Sequence, residues 1–396
     1  MCEFAVNPYR ERSPQWDAES DRAFGDPDIL NLHRSLPEYL PSPTIALPNL
    51  ARALGLKQIL VKDESHRLGL KAFKALGASY AVYRILRQFL EKRGDPCPAA
   101  QVFYSNEPPI APGTFTFCTA TDGNHGRGVA WVARKLRQRA VIYMPAASAL
   151  ARIENIRSEG AEVVVVDGSY DDAVQTAAAD AKNHEWQIVS DTSWPGYDEI
   201  PRWIMAGYTT MFREIHEAPG ARPIPNVILV QGGVGALAAA AAWYYTQPGI
   251  APCPQLVSVE PSSADCLLAS IRSPHGGAVQ TRGRLDSIMA GLNCGTPSLV
   301  AWPFIRRGFD LFISIADRHC VRAMRSCYHP LVDDPRVVSG ESGAAGLAAL
   351  LALIDESSLA PARAHLNLSS GTTVLLLNTE GDTDPDSFKQ IVHVTG

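Results

Sequence analysis

The sequence predicts an α/β protein of two lobes, each a parallel-rich sheet flanked by helices, with a ligand cleft between the lobes. Three observations carry this. Short apolar runs alternate with longer helical periods, the pattern of right-handed βαβ units rather than of hairpins. The alternation is interrupted by the Pro/Gly-rich stretch 218–225 and then resumes. The chain has 396 residues, 46% of them hydrophobic, enough for more than one packed core when domains run to about 100–200 residues.

In order, residues 1–45 are polar and dotted with proline, ending in Leu40-Pro41-Ser42-Pro43-Thr44, and predict an extended arm. Residues 58–62 predict a short buried strand. Over 72–90, Phe73, Leu76, Tyr80, Val82, Tyr83 and Leu86 fall at helical spacing. A strand follows at 115–120, then a helix at 125–136 opened by the turn Asp122-Gly123-Asn124. A strand at 140–144, a helix at 149–159, a fully buried strand at 163–166 and a helix at 171–181 complete the first run. The segment 106–113 (NEPPIAPG) reads as surface loop. After the break come a strand at 227–230, a glycine loop, a helix at 236–245 and a strand at 256–259. A helix at 342–353 and a strand at 373–377 close the chain.

The 36 basic and 41 acidic residues leave a formal charge of −5, which argues against nucleic acid or an anionic membrane as principal partner. Cysteines at 2, 97, 118, 253, 266, 294, 320 and 327 form no C-x-x-C pair and there is no H-E-x-x-H, so no metal is expected. Most read as small buried hydrophobes. Residues 1–16 carry no apolar h-region, and the apolar stretches 236–245 and 343–354 fall short of the roughly 18–20 residues that cross a bilayer. A soluble, cytoplasmic protein is the expectation.

Gln231-Gly232-Gly233-Val234-Gly235-Ala236 lies between a predicted strand and a predicted helix. Glycine N–H groups and the positive end of the helix suit a phosphate. Three readings of the loop stay open. Gly233-x-Gly235-x-x-Ala238 fits the dinucleotide fingerprint of an NAD(P)-dependent oxidoreductase, with Glu260 as the ribose-binding acid. A phosphate-bearing cofactor such as pyridoxal phosphate fits as well, and so does simple tight packing.

Two further segments bear on the choice. Leu70-Lys71-Ala72-Phe73-Lys74 precedes an apolar-faced helix. A lysine at a helix start is ordinarily a solvated side chain. Here Ala72 and Phe73 set Lys74 against apolar neighbours, and desolvation of that kind makes an amine nucleophilic. The loop Ala120-Thr121-Asp122-Gly123-Asn124-His125-Gly126 ends a strand and opens a helix, presenting N–H groups to an anion such as a substrate carboxylate. The Asn124 amide suits a ring hydroxyl, while His125 fits a structural helix-start histidine as well as a ligand. A dinucleotide enzyme requires neither segment.

More segments join these three: Lys62-Asp63-Glu64-Ser65, Thr121 through Trp131, Asn155-Ile156-Arg157, Asp191-Thr192-Ser193-Trp194 and Ile200 through Met205. Ile288 through Leu292, Ser339 through Gly343 and Thr379 through Thr383 continue the series. Together they resemble the fold-type II family of pyridoxal-phosphate enzymes, the tryptophan-synthase-β and serine/threonine-dehydratase superfamily, and within it the diaminopropionate ammonia-lyase family. On this reading residues 1–85 and 222–396 form a large cofactor-binding domain, residues 86–221 form a small one, and the active site lies in the cleft between them.

The resemblance implies pyridoxal 5′-phosphate as cofactor and roles for individual residues. Lys74 looks like the lysine that holds the cofactor and the base for the α-proton, with Phe73 beside it. Gly232, Gly233, Val234, Gly235 and Ala236 look like the phosphate cradle. Asn124 resembles the partner of the pyridine hydroxyl, and Thr379 that of the ring nitrogen. Thr121, Asp122, Gly123, His125 and Asp191 fall at the substrate, Asp122 and Asp191 matching the two aspartates of the ammonia-lyases. The implied reaction is α,β-elimination of ammonia from 2,3-diaminopropionate, giving pyruvate and ammonia, in a homodimer acting on a small amino acid. Elimination or replacement at Cβ of another small amino acid, as in a serine/threonine dehydratase, is the second reading.

Asp122 carries weight of its own. A carboxylate beside a bound amino acid disfavours the substrate's carboxylate unless a cation compensates, and the β-ammonium of 2,3-diaminopropionate supplies one. Opposite Lys74, it would also serve as base for the D-isomer. An N-cap aspartate facing backbone N–H groups is the structural reading of the same residue. Two features depart from the family pattern and bear on the leaving group: Lys71, where relatives often carry a neutral residue, and the long Pro-rich stretch 101–117. Cys266 and Cys294 are close enough in sequence to pair, yet spacing establishes no bond, and free thiols are expected.

Overall fold

The computed structural model describes residues 2–105, 107–168, 170–217 and 224–393. The chain divides into two compact units, one of Met1–Asp17, Pro41–His66 and Met211–Gly396, the other of Ala18–Leu40 and Arg67–Thr210. These bounds differ from the expected 1–85, 86–221 and 222–396. Residues 67–85 group with the second unit because the helix Lys74–Arg93 packs on the helix Asn124–Lys135. A Cβ at Gly128 would lie 3.1 Å from the Ala75 nitrogen, so the two helices touch almost backbone to backbone.

Eleven strands are formed among the described residues: β1 (Glu3–Val6), β2 (Thr44–Ala46), β3 (Gln58–Asp63), β4 (Thr116–Ala120), β5 (Arg139–Pro145), β6 (Glu162–Val166), β7 (Gln187–Ile188), β8 (Val227–Gln231), β9 (Gln255–Pro261), β10 (Leu311–Ile315) and β11 (Thr373–Asn378). In the first unit they make a seven-stranded sheet ordered β1-β10-β9-β8-β11-β3-β2. Its five central strands are parallel, and β1 and β2 are antiparallel at the edges. Leu229 of β8 stands opposite Val257 of β9 and Leu376 of β11, all buried, as the continuous apolar runs of a two-face-covered sheet require. The glycine loop leaves the carboxyl end of β8 and Thr379 that of the adjacent β11, the edge at which open α/β sheets bind ligands.

The second unit holds a four-stranded parallel sheet ordered β6-β5-β4-β7. Since β4 and β7 are neighbours, the loop 121–126 and Asp191 emerge side by side from the same sheet edge. Cys118, Ala120, Val141 and Tyr143 form the core under the helix Tyr170–His184, against its Ala173, Ala177 and Ala181.

Several expectations are corrected. Residues 1–45 are no extended arm: they contain β1 and the helices Ala18–Phe24 and Asp28–Ser35. The second of these buries Ile29, Leu30 and Leu32 and carries Asp28 in its first turn and Arg34 in its last, so both its apolar face and its dipole are satisfied. The strand at 163–166 is not fully buried. As β6 it is the sheet edge, and Val165 is exposed. The helix expected from 72 starts at Lys74 because Lys71 sits at φ +58°, outside helical geometry, and it ends at the left-handed Gly94. The helix expected over 342–353 is Ala345–Asp355. The helix Ala236–Tyr245 stands as expected. Of the two loop stretches, Asn106 and residues 218–223 lie outside the described residues. No single helix among the described residues is long and apolar enough to cross a membrane.

Candidate active site

In the second unit, Lys74 opens its helix with Phe73 at the N-cap. Its ammonium is ion-paired with the Asp191 carboxylate. It also lies 5.5 Å from the ring centre of Phe73 and 6.0 Å from that of Tyr208, and the two rings pack on each other 4.7 Å apart. Tyr208 was not foreseen. It comes from the helix Glu199–Glu217, which crosses the lysine helix at backbone distance. A Cβ at Gly77 would fall 2.6 Å from the Tyr208 ring, and Gly207 abuts the Leu76 carbonyl in the same way.

Asp191 is buried, which disfavours its charge, but the His125 ring and the charge and hydrogen bond of Lys74 hold its carboxyl well below the usual range. His125 is buried beside it. Its Nε2–H donates to the Val189 carbonyl at 2.7 Å, and its Nδ1 lies 3.9 Å from Asp191. Burial pushes the imidazole pKa down, opposed by the facing Asp191 carboxylate.

Asp122 is the mirror case. Burial pushes its carboxyl up to about 6 against the opposing charge of Arg152, with Asp191 adding to the rise and Lys74 lowering it. The loop that carries it is held by Thr121, whose hydroxyl oxygen accepts the Gly123 and Gly126 N–H groups, both at 3.0 Å. That is a capping role, and it occupies two donors that the sequence had offered to a substrate anion. Gly123 sits at φ +150° with its α-carbon facing Arg152, which donates to the Asp122 carbonyl at 3.3 Å. Arg152 was also missed, since its helix, Leu150–Ser158, reaches the loop only through the fold. Asn124 is the first residue of its helix and is half-buried, while Lys71 is exposed.

In the first unit, the loop after β8 turns on Gly233 at φ +61° and Gly235 at φ +99°, both in the left-handed region. Gly232 backs onto Glu260: a Cβ there would lie 2.7 Å from its Cγ. At Gly233 such a Cβ would meet Cys294, Gly291 and Leu292 at 3.6 Å, which is ordinary van der Waals contact, so the backbone conformation and not the space calls for glycine there. The first N–H groups of the ten-residue helix Ala236–Tyr245 have no intrahelical acceptor and point out of this end. A phosphate fits such a cradle. Thr379 is buried directly after Asn378, whose amide bridges Asp63 and Val338.

Glu260 is not placed to bind a ribose. Its two carboxylate oxygens accept the Leu267 and Leu268 N–H groups, each at 2.8 Å, and so cap the helix Cys266–Arg272. Burial pushes it up to about 8. No disulfide joins Cys266 and Cys294.

Residues 36–371 match the family described as pyridoxal-phosphate dependent enzyme. The chain is 41% identical over 373 residues to the diaminopropionate ammonia-lyase of Salmonella typhimurium, an alignment covering 92% of this chain and 91% of that protein. Solved structures of the Escherichia coli diaminopropionate ammonia-lyase superpose with a TM-score of 0.88, covering 99% of this chain and 97% of theirs. One is a complex with an aminoacrylate-PLP azomethine reaction intermediate, at 37% identity, and another a complex with D-serine, at 36%. With that match across nearly its whole length and a lysine, a glycine cradle and a helix N-terminus that suit the cofactor, the chain belongs to the family of pyridoxal-phosphate dependent enzymes.

Proposed function

We propose that the protein eliminates ammonia from 2,3-diaminopropionate and yields pyruvate and a second ammonia. The observation that carries this reading is the pair of carboxylates, Asp122 and Asp191, that act electrostatically on Lys74 from adjacent strand ends. A neutral hydroxy-amino acid has no use for two. A substrate with two ammonium groups and one carboxylate does. The relatives named diaminopropionate ammonia-lyase support it.

Bound pyridoxal phosphate supplies the electron sink for cleavage of the Cα–H bond. Lys74 would hold it through the ε-amine, and the loop Gly232, Gly233, Val234, Gly235 and Ala236 would hold its phosphate through the N–H groups of Gly233, Val234 and Ala236, since those of Gly232 and Gly235 donate to the Val259 and Gly232 carbonyls. Phe73 and Tyr208 keep the lysine in a poorly hydrated corner, while Asn124 and Thr379 would serve the hydroxyl and the ring nitrogen. Lys74 Nζ takes the α-proton of the L-isomer, and the Asp122 carboxylate takes that of the D-isomer. Asp191 balances whichever cation faces it, the lysine's at rest or the substrate's when bound. The β-ammonium leaves as neutral ammonia with the C–N electron pair. The three-carbon enamine released then takes up water to give pyruvate and the second ammonia. By the same family resemblance the working form is a cytoplasmic homodimer.

Pyruvate release from each amino acid tests the substrate. The kcat/KM for 2,3-diaminopropionate is expected to exceed that for serine and threonine. Pyruvate from serine with none from diaminopropionate would return the chain to a dehydratase reading, with cofactor and fold unaffected. The cradle has its own test. Gly233→Asp places a Cβ in left-handed backbone and a carboxylate toward the phosphate, so the cofactor is expected to be lost on dialysis. Full retention would remove the phosphate from this loop.

A further inference from the structure

Three side chains that this chemistry does not use converge in the first unit. Cys2 precedes β1, His319 lies in the first turn of the helix Asp317–Tyr328, and Glu356 follows the helix Ala345–Asp355. Cys2 Sγ is 3.3 Å from His319 Nε2, and the same nitrogen is 3.3 Å from Glu356 Oε1. One ligand atom from each lies within 4.8 Å of the other two. Cys2 and His319 are buried, and Glu356 is partly open to solvent.

A single imidazole nitrogen carries either one hydrogen or one lone pair, so it serves a sulfur and a carboxylate oxygen at equal distance poorly. A cation accepting a lone pair from all three serves them well. Tetrahedral zinc, with bonds of about 2.3 Å to sulfur and about 2.0–2.2 Å to nitrogen and oxygen, sets sulfur and nitrogen about 3.5 Å apart and nitrogen and oxygen about 3.4 Å apart. The observed spacings lie close to both. Thiolate with imidazole selects zinc over the hard cations magnesium and calcium.

The local charges are compatible with this. Burial, helped by Arg318, lowers the His319 pKa, in the direction of the neutral ring that binds metals. Burial raises the Cys2 pKa and so works against the thiolate; the sulfur–metal bond replaces the S–H bond, and the proton is released to solvent. Arg318 competes, donating to Glu356 Oε1 at 3.0 Å, but its side chain is 59% exposed and can be released into water.

We propose that Cys2, His319 and Glu356 form a zinc site with one open coordination position, which ties the edge strand β1 to two helices of the first unit. No local spacing in the sequence signals it, because Cys2 and His319 are 317 positions apart.

The test uses the holoenzyme, treated with chelator and titrated with Zn2+ alone. One ion per chain is expected to bind and to raise the melting temperature. Co2+ in its place should show the intense long-wavelength bands of a tetrahedral site, clear of the cofactor's absorption. Cys2→Ser and His319→Gln should each weaken binding by more than the roughly 10–100-fold that loss of an outer-shell partner costs. Replacing the exposed Cys97 and Cys253 by serine should leave it unchanged. Glu356→Gln, at the most solvated of the three positions, is the variant least able to disturb folding, and it too should weaken binding. Cofactor retention and lyase turnover of each variant report folding separately. Absence of stoichiometric binding by the wild type, or equal binding by folded Cys2→Ser or Glu356→Gln, overturns the site and leaves the lyase reading untouched.

Discussion

Lys74→Ala is expected to abolish the visible absorption band of the holoenzyme and to lower turnover about 10³-fold or more, since anchor and base are lost together. The variant also leaves Asp191 buried without its cation, a situation that costs about 3–5 kcal/mol in a fully buried pair and less here, where Lys74 keeps some solvent contact. Loss of activity could therefore come from loss of structure, and Lys74→Arg separates the two. It preserves the ion pair, so its unfolding midpoint should stay near that of the wild type while band and turnover are still lost. A yellow, active Lys74→Ala protein would move the cofactor to another amine.

Asp122→Asn should cost about 2–4 kcal/mol in transition-state stabilisation of diaminopropionate, or roughly 30- to 1,000-fold in kcat/KM, with serine much less affected. The D-isomer should suffer more than the L-isomer, for which Lys74 remains a base. Because burial pushes the Asp122 carboxyl up to about 6, it is protonated, and useless as a base, below that pH. Wild-type kcat/KM on the D-isomer should fall as pH drops through about 6, a limb missing from the variant. The same shift has the opposite sign for stability. A carboxyl whose pKa is raised on folding favours the folded state only while protonated. It destabilises the protein above about pH 6, an effect absent below the unfolded carboxyl's pKa. Asp122→Asn should then be more stable than wild type at pH 7 by about 1–3 kcal/mol and indistinguishable from it near pH 3.5. Equal losses on serine and diaminopropionate would make Asp122 a purely structural residue.

The unit from β8 through the glycine loop and the helix Ala236–Tyr245 to β9 was legible in the sequence because its strands are continuous apolar runs and its loop is punctuated by glycine. Where periodicity was short, the reading failed. The helix Asp28–Ser35 spans barely two turns, and prolines on either side disguised it. The edge strand β6, Glu-Val-Val-Val-Val, has the composition of a central strand, and nothing local shows that one side lacks a neighbour. The site divides in the same way. The loop 121–126 and the glycine loop have local signatures, and family resemblance supplied roles for Lys74 and Asp191. Tyr208 and Arg152 reach the lysine and Asp122 only through helix packing, which no motif encodes. The role of Glu260 stayed open in the sequence because an acid at a strand end looks the same whether it faces a ribose or caps the next helix.

The crossing of the lysine helix over the helix Glu199–Glu217, at Gly77 and Gly207, bears on how this protein can change. Where two backbones touch, no side chain can repack to absorb an error, so a methyl group at either position must displace a helix. A misplacement of about 1 Å at a reacting group costs about 10²-fold in rate, and Lys74 is one turn from the contact. In terms of mutational tolerance, these two positions are closed even to alanine although neither touches a substrate. The open ones are Asp122 and Arg152, whose contact runs from the Arg152 side chain to the Asp122 carbonyl and lies outside the helix crossing that sets the lysine. A new substrate preference, whether reached by selection or by design, would therefore be written in that loop and not in the helices that hold the amine.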